Sequence, residues 1–437
     1  MTAGGDAVDA AVEAAVEAAV EAAVEAAHRA HWPVLVATSV RLLRDLDAAE
    51  DCAQEAFAAA LHAWRRDGVP TSPAAWLTTA TRNRALDRLR RGTTERRALP
   101  LLIAEDERLR RDGPGQPAHD DARDDGEDLL RLVLLCAHPA LSPESRVALT
   151  LRAVCGLPTA AIARVMLVAE PTVAARLTRA KKKVAVAGIP LRLPGPAERT
   201  DRISGALDVV HLALTCAHED PAADAGPAAR AVQLARALVR LAPDQTEARG
   251  LLALALLTNA RASARRDGAG AVVLLADQDR TRWDGPATAE GLALVRGLMP
   301  YPAGRFTLQA AIAAEHARAS TAADTDWPQV LRLYDALLAE WPNPVVSLNR
   351  AVALAEVDGP AAGLGALRHL ADDPVLARSP WLPATRAELH RRRGELADAA
   401  GAYRAALELP CLPADAAFLR GRLAAVEGDV AEQLSRP

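Results

Sequence analysis

The chain has few aromatic residues, 3% of its 437 positions, and it lacks long apolar runs. A membrane-spanning helix needs about 18 or more consecutive apolar residues, and no such run is present, so no membrane span is expected. The first residues carry acids such as Asp6 and Asp9 instead of lysine or arginine, unlike a secretory signal peptide. These absences predict a cytoplasmic protein without a membrane partner.

Cysteine is scarce too, and none of the five cysteines forms a C-x-x-C pair. Two Cys-Ala-His triplets, at 136–138 and 216–218, offer only two ligands each, so no zinc site is predicted. The sequence also lacks a glycine-rich phosphate loop, an H-E-x-x-H pair and a G-x-S-x-G elbow. We therefore expect reduced thiols, no metal, no cofactor, no catalytic residues, and a protein that is not an enzyme.

Alanine, leucine and arginine are abundant instead. Alanine and leucine have high helix propensity, and no segment alternates with the two-residue period of a strand. The predicted fold class is all-α. Residues 8–27 repeat the tetrad Val-Glu-Ala-Ala. A four-residue repeat drifts around a helix of 3.6 residues per turn, so we expect a helical extension without a stable apolar stripe along its length.

Glycine, proline and acidic residues divide the chain into segments. The predicted order is a helical N-terminal extension, a first helical block, an acidic flexible linker, a second helical block, and a helical C-terminal domain. Their ranges are 1–27, 28–98, 99–128, 129–190 and 198–437.

The formal net charge of −4 hides two cationic patches. Seven arginines lie between residues 71 and 98, and nine lysines and arginines lie between residues 129 and 188. The acidic stretch from Glu105 to Asp128 separates them. Clusters of this kind indicate a polyanionic partner.

A helix-turn-helix pattern occupies residues 158–183, where two short amphipathic helices flank a turn at 167–169. The second helix turns one polar, cationic face outward at positions i, i+4, i+7 and i+11, namely Thr172, Arg176, Arg179 and Lys183. Arginine can bond guanine bidentately in the major groove, and lysine neutralises phosphates. The alternative interpretation is an ordinary amphipathic helix with a solvated basic face.

Another helix is predicted over residues 73–91, with Ser72 as its N-cap and Pro73 at its first position. Arg84, Arg88 and Arg91 share one face of it. A solvated helix would normally balance such charges with acids three or four residues away. Acids are scarce here, which favours a phosphate backbone as the partner.

The C-terminal part contains a degenerate repeat. Its best copy lies around Tyr403, and poorer copies lie around Tyr334 and Ala366. These central positions are about 32 and 37 residues apart, close to the 34-residue period of tetratricopeptide repeats. Such helix pairs stack into a solenoid with a concave binding face.

Together, these motifs resemble those of extracytoplasmic-function sigma factors of the sigma-70 family. Residues 47–57 are similar to the segment that docks on core RNA polymerase, residues 76–91 to the helix that recognises and melts the −10 element, and residues 158–183 to the −35 reader. Four further stretches look like the C-terminal extension of the subgroup with a tetratricopeptide-like domain, namely 277–284, 308–316, 324–328 and 347–353.

The resemblance implies a role for specific residues and two macromolecular partners, core RNA polymerase and promoter DNA. The implied polymerase contacts are Asp47, Asp51, Gln54, Glu55 and Phe57. The implied −10 contacts are Ser72, Trp76, Arg82, Asn83, Arg84, Asp87, Arg88 and Arg91. The implied −35 contacts are Glu170, Thr172, Arg176, Arg179, Lys182 and Lys183. The linker would thread through the polymerase, and the C-terminal domain would modulate activity by binding a regulatory protein or ligand.

Two other functions fit parts of the sequence. A helix-turn-helix regulator with a repeat-type sensor would need no polymerase-docking segment and would usually bind a palindrome as a dimer. A scaffold protein would bind a partner through its repeats and would not respond to DNA or salt. The segment 51–57 and the two separate basic blocks favour the sigma factor over the helix-turn-helix regulator.

Overall fold

The computed structural model describes residues 3–91, 121–166, 168–189, 193–195, 198–219, 226–267, 271–299, 301–411 and 413–435. Over these ranges the backbone is helices and turns, with one isolated bridge between Arg266 and Val272 and no strand. The all-α prediction is therefore confirmed. None of the described helices has the length and apolar character needed to cross a bilayer. The chain divides into two units, Met1–Ala242 and Pro243–Pro437.

The first unit contains the predicted N-terminal extension, both basic blocks, and two further helices. Its helices are α1 (Ala3–Leu43), α2 (Leu46–Asp67), α3 (Pro73–Arg91), α4 (Asp121–Cys136), α5 (Pro143–Ala153), α6 (Thr159–Val165), α7 (Glu170–Val186), α8 (Arg199–Glu219) and α9 (Gly226–Leu241).

Helix α1 joins the valine–glutamate repeat to the first basic block without a break and continues through Pro33. Val20 and Val24 are buried, whereas Val16 is 49% exposed. Each four-residue step turns the side chain about 40° around the helix, so only neighbouring copies can share the buried face. The repeat thus has a buried stripe two turns long, which the sequence analysis did not predict. Arg65 of α2 also pairs with Glu17 and Glu21 of the repeat, at 2.6 and 3.0 Å.

Helix α4 packs on α1, α5, α8 and α9 of the first unit, and its apolar residues from Leu129 onward are buried. It begins at Asp121, inside the range predicted as a flexible linker up to residue 128. The buried carboxylate of Asp128 accepts hydrogen bonds from Arg41 Nε at 2.7 Å and Arg131 Nη1 at 2.9 Å. These two bonds explain why the acidic end of the predicted linker is helical. Residues 99–120 of that prediction lie outside the described residues.

Helices α8 and α9 belong to the first unit, although the sequence assigned them to the C-terminal domain from residue 198. Arg202 of α8 donates to the Leu134 carbonyl at 2.9 Å. Gly205 approaches α4 so closely that a Cβ there would lie 2.8 Å from the Ala137 carbonyl oxygen. Arg230 of α9 donates to the Ala30 carbonyl of α1. The boundary between the compact units is therefore about 44 residues further along the chain than the sequence pattern suggested.

The second unit is a succession of short helices in which each packs on its neighbours. They are α10 (Thr246–Asn259), α11 (Gly285–Leu298), α12 (Arg305–Arg318), α13 (Trp327–Glu340), α14 (Pro344–Val357), α15 (Pro360–Leu367), α16 (Trp381–Arg392), α17 (Leu396–Leu407) and α18 (Pro413–Ser435). Six 3₁₀ turns accompany the helices of this unit, at 262–264, 275–277, 280–282, 322–324, 368–370 and 376–378.

Three hydrophobic clusters follow one another along the second unit, within residues 308–353, 348–389 and 384–426. Each overlaps the next in sequence, as expected when every helix pair buries its apolar face against the following one. Tyr403, at the centre of the best predicted repeat, is buried with Ala399 and Ala406. The helical, tetratricopeptide-like prediction for this region is confirmed over the described residues between 243 and 435.

Candidate nucleic-acid interface

The predicted helix-turn-helix is formed by α6 and α7. Backbone at Ala169 is extended and Pro171 lies in the first turn of α7, so the helix starts where the sequence predicted. Four apolar side chains anchor α7, namely Val173, Leu177, Ala180 and Val184. The opposite side exposes Glu170, Thr172, Arg179, Lys182 and Lys183, and Arg176 is half-buried among them.

The charges on the exposed side of α7 are available to a partner. Within the described ranges, Arg179, Lys182 and Lys183 form no ion pair. The Arg176 charge acts on Glu144 of α5, whose pKa is lowered chiefly by hydrogen bonds from its own backbone and from Ser142 and less by Arg176. Cations that are exposed and unpaired match what phosphate contacts require.

The predicted −10 residues lie on α3 and at its entrance. Ser72 caps the helix through a long contact of 3.4 Å from Ala75 N. Trp76 is half-buried and meets the Trp64 ring edge-on, with 5.8 Å between centroids. The exposed polar residues of α3 are Thr79, Asn83, Asp87, Arg90 and Arg91, and Arg82 is half-buried.

The cationic face predicted on α3 is largely neutralised by α2. Arg88 lies 3.2 Å from Asp51 Oδ2 and 3.1 Å from Glu55 Oε1, and it also donates to the Ala48 carbonyl. Arg84 Nε lies 3.7 Å from Glu55 Oε2. The prediction that the arginines of α3 lack balancing acids was therefore wrong, because the balancing acids lie on α2 instead of α3. In this conformation, Arg91 alone of the three predicted backbone-binding arginines is exposed.

The polymerase-contact predictions divide into three kinds. Asp47 and Gln54 are exposed on α2. Asp51 and Glu55 are also exposed but pair with Arg88. Phe57 is only 6% exposed, and its ring lies 4.9 Å from His28 and 6.4 Å from Trp32 of α1. The prediction of Phe57 as a surface contact was therefore wrong, because α1 packs over this side of α2.

A buried ion cluster that the sequence did not indicate joins the two basic blocks. The Glu50 side chain is 4% exposed, accepts a hydrogen bond from Arg152 Nε at 3.0 Å, and forms an ion pair with Lys181 Nζ at 3.3 Å. Lys181 also lies 2.7 Å from Asp47 Oδ1. Glu50 and Asp47 belong to α2, Arg152 to α5 and Lys181 to α7, so the cluster holds the helix-turn-helix against the predicted polymerase-docking helix.

Trp32 supports the same junction. Its indole Nε1 donates to the Arg152 carbonyl at 3.1 Å, and the Arg152 guanidinium lies 5.2 Å from the ring centroid. Gly156, in the turn after α5, has φ +73°, and a Cβ there would lie 3.1 Å from Trp32 Cδ1. A glycine is required at this turn by both the left-handed backbone and the close ring.

One group of side chains in the second unit has the composition of a metal site. His390, Glu395 and Asp398 each place a ligand atom within 4.8 Å of the others. His390 Nδ1 and Glu395 Oε2 are already 2.7 Å apart, which is an ordinary hydrogen-bonded pair. This local pair accounts for the arrangement without an ion.

Comparison with known proteins assigns families to three segments. Residues 27–95 match Sigma-70 region 2, residues 131–184 match Sigma-70, region 4, and residues 202–299 match a family of unknown function, DUF6596. The region 2 match thus covers the C-terminal part of α1 with α2 and α3, and the region 4 match covers α4 from residue 131 to α7 at residue 184, in the order predicted from the motifs.

The chain is also similar to one protein over nearly its whole length and to one solved structure over part of its length. An uncharacterized protein of Rhizobium meliloti (strain 1021) is 38% identical over 416 residues, which cover 92% of this chain and 96% of that protein. A thermophilic TPR protein of Thermus thermophilus is 21% identical in sequence, with a TM-score of 0.31, over 46% of this chain and 91% of its own. The chain belongs to the sigma-70 family, as a promoter-recognising sigma factor of the extracytoplasmic-function type with a helical C-terminal extension.

Proposed function

We propose that the protein binds core RNA polymerase, directs it to promoters through α3 and α7, and is modulated by its C-terminal helical domain. The observation that supports this best is the exposed side of α7. It combines two arginines able to read bases, Arg176 and Arg179, with unpaired lysines suited to phosphates. A helix anchored by its apolar side and cationic on the other is the form in which helix-turn-helix proteins enter the major groove.

Polymerase binding is assigned to the exposed side of α2. Asp47, Asp51, Gln54 and Glu55 line it, and Phe57 is left out of the assignment because it is buried. Asp51 and Glu55 can meet a basic polymerase surface only by exchanging their Arg88 contacts for new ones. That exchange would release Arg88 toward DNA, so polymerase binding at α2 and DNA binding at α3 would favour each other.

The conformation described is incompatible with simultaneous contact to both promoter elements. Lys181 of α7 touches α2, and α2 packs on α3, so the two reading helices are separated by about the width of one or two helices, each about 10 Å across. Elements centred at −10 and −35 are about 85 Å apart along DNA at 3.4 Å per base pair. Regions 2 and 4 must therefore separate on the promoter, which breaks the cluster around Glu50.

The C-terminal domain is assigned a modulating role because of where it connects. Helices α8 and α9 pack on α4 and α1 and so form part of the promoter-binding unit. Only residues 242–245 separate α9 from α10, the first helix of the second unit. A regulatory protein or ligand bound to the second unit would act on regions 2 and 4 through this short connection.

Run-off transcription tests the proposal. Bacterial core polymerase would be combined with the full-length protein, or with a chain ending at Ala242, on DNA from upstream of the protein's own gene. We expect a transcript with a defined start from the full-length protein, and a changed yield without the second unit. DNA binding without polymerase binding or transcript would contradict the sigma factor and favour the helix-turn-helix regulator. Equal yields from both chains would contradict modulation only.

A further inference from the structure

Three of the stretches that resemble the family's extension converge in the second unit, and promoter recognition uses none of them. Arg280, from the Asp277–Asp284 stretch, donates through Nη1 to the His316 carbonyl at 2.6 Å and the Ala319 carbonyl at 2.9 Å. These carbonyls lie at the C-terminal end of α12, where acceptors are left without helical partners. The His316 ring meets the Trp327 ring edge-on, with 5.4 Å between centroids.

The turn that follows α10 brings a second guanidinium to this place. Asp284 N donates to the Ala260 carbonyl at 2.8 Å, and Ser263 Oγ donates to the Arg282 carbonyl at 2.6 Å. These bonds hold the turn at 261–264 against the turn at 280–282. Arg261 is thereby placed within electrostatic reach of Arg280, His316 and Tyr334.

Arg261 lacks an anionic counterpart in the part of the chain that the structure describes. Its guanidinium makes no hydrogen bond or ion pair there, and the titratable groups close to it are the Tyr334 hydroxyl and the Arg280 guanidinium. Burial lowers the pKa of Arg261, and the pKa of Arg280 is also lowered by burial, against a smaller effect of Asp324. Asp324 itself is already engaged, because it accepts from Thr321 N and Oγ1 at 2.9 Å each. Burying a cation without a partner is unfavourable unless a ligand supplies the opposite charge.

Further polar groups around this place also lack partners. Asn259 Oδ1, Gln278 Oε1 and Trp283 Nε1 are buried and make no hydrogen bond to any described residue. Each lies within three positions of Arg261 or Arg280 in sequence, and the Arg280 guanidinium lies 4.7 Å from the Trp283 ring centroid. Unsatisfied buried donors and acceptors that neighbour the two arginines in the chain could gain hydrogen bonds from a ligand bound there.

We propose that Arg261, Arg280, His316 and Tyr334 form a binding site for a small organic anion bearing a carboxylate or phosphate group. Arg261 supplies the principal charge, and its planar fork suits a bidentate oxyanion. The Arg280 guanidinium, held in place by two backbone carbonyls, supplies a second donor. The Tyr334 hydroxyl and the neutral His316 ring supply the remaining polar groups of the site. All four side chains are half-buried, which fits a small ligand better than an extended peptide. The site is independent of the proposed transcriptional role, because binding can be measured on the protein alone.

Thermal unfolding of the full-length protein tests this site. Citrate and inorganic phosphate serve as carboxylate and phosphate probes, with ionic strength held constant by sodium chloride. The informative variant is Arg261→Met, and Arg296→Met, an exposed arginine on α11, is the matched control. We expect at least one probe to raise the midpoint of the wild type and the control, with half-saturation shifted about tenfold or more in Arg261→Met. The stronger probe identifies the anionic group.

Without probes, Arg261→Met should unfold at a higher temperature than the wild type, since it removes a half-buried charge that has no anionic partner among the described residues. A second readout is the His316 imidazole in proton NMR, assigned with His316→Gln. Its pKa of about 4 reflects burial and the two neighbouring guanidiniums, so a bound anion should raise it in the wild type and not in Arg261→Met. Equal responses of wild type and Arg261→Met to both probes would overturn the proposal. A lower midpoint of Arg261→Met without probes, with its anion response retained, would also overturn it and make Arg261 a structural residue.

Discussion

Lys181 Nζ of the helix-turn-helix lies 2.7 Å from Asp47 Oδ1 of the helix assigned to polymerase binding. The same ammonium lies 3.3 Å from the buried carboxylate of Glu50. One side chain of region 4 therefore neutralises two acids of region 2. Lys181 lies on the opposite side of α7 from Thr172, Arg176 and Arg179, so this contact holds the two regions together without covering the reading face.

Replacing Lys181 by methionine should weaken the contact that holds α7 against α2. The Lys181 side chain is 14% exposed, and losing hydrogen bonds to charged groups costs about 1–3 kcal/mol. We expect faster hydrogen exchange of the α2 and α7 amides and a higher transcript yield at limiting protein concentration. Lys182→Met is the control, because Lys182 is exposed and forms no ion pair among the described residues. Lys182→Met should weaken DNA binding and leave hydrogen exchange unchanged. Equal hydrogen exchange in both variants would contradict a role of Lys181 in holding α7 against α2.

Replacing Gly156 by alanine tests the Trp32 junction. The backbone at Gly156 has φ +73°, which costs an alanine about 1–2 kcal/mol, and the new methyl group would lie 3.1 Å from the Trp32 ring. Gly188→Ala is the matched control, since Gly188 has φ +56° with nothing within 4 Å of its Cβ position. Urea denaturation should find Gly156→Ala less stable than Gly188→Ala. Equal losses would mean that backbone strain alone is responsible and that the ring contact adds nothing.

Local patterns in the sequence predicted the helices and the reading face well. The positions of Thr172, Arg179 and Lys183 follow from the helical period alone, and the buried side of α7 follows from the same period. The capped start of α3 at Ser72 and Pro73 is likewise a local feature. These predictions needed only interactions within a few residues of each other.

Contacts between distant segments could not be read in this way. Arg88 meets Asp51 and Glu55 across 37 and 33 residues, and Arg152 meets Glu50 across 102. A charge count along α3 therefore overestimated its free cations. Phe57 was assigned from the family resemblance, and the rings that cover it, His28 and Trp32, lie 29 and 25 residues away in α1. Packing also determined the boundary at 242, because α8 and α9 have the composition of the second unit and the neighbours of the first.

The stability of the second unit should fall as the solution is acidified. Burial, with Arg261 and Arg280 close by, lowers the pKa of His316 to about 4 from an ordinary value of 6.5. Between these values the unfolded chain binds the proton and the folded chain does not, so stability present above pH 6.5 is lost as the pH falls toward 4. This single group should cost about 2 kcal/mol between pH 7.5 and 5.

His316→Gln isolates that contribution from those of other histidines. His28, His31 and His138 in the first unit also have lowered pKa values because of burial, so the wild-type slope contains several groups. Urea denaturation at pH 7.5 and 5, in buffers without carboxylate or phosphate, should give a smaller loss for His316→Gln than for the wild type. An identical loss in both proteins would mean that His316 is protonated freely in the folded state.

Replacing Arg176 or Lys183 by alanine should weaken DNA binding in two different ways. A half-buried arginine near the start of α7 is placed to read a base edge, and losing one bidentate contact costs about 1–3 kcal/mol at one base pair. An exposed lysine near the end of α7 suits a phosphate, which carries no sequence information. Arg176→Ala should therefore weaken binding to the preferred −35 sequence and leave one base position relaxed. Lys183→Ala should weaken binding to all sequences alike and reduce the salt dependence by about one phosphate contact.

Binding measured at several salt concentrations, on DNA substituted at each −35 position, distinguishes the effects of the two variants. A uniform loss with Arg176→Ala would reassign Arg176 to the backbone, because only a base contact can make the loss depend on sequence.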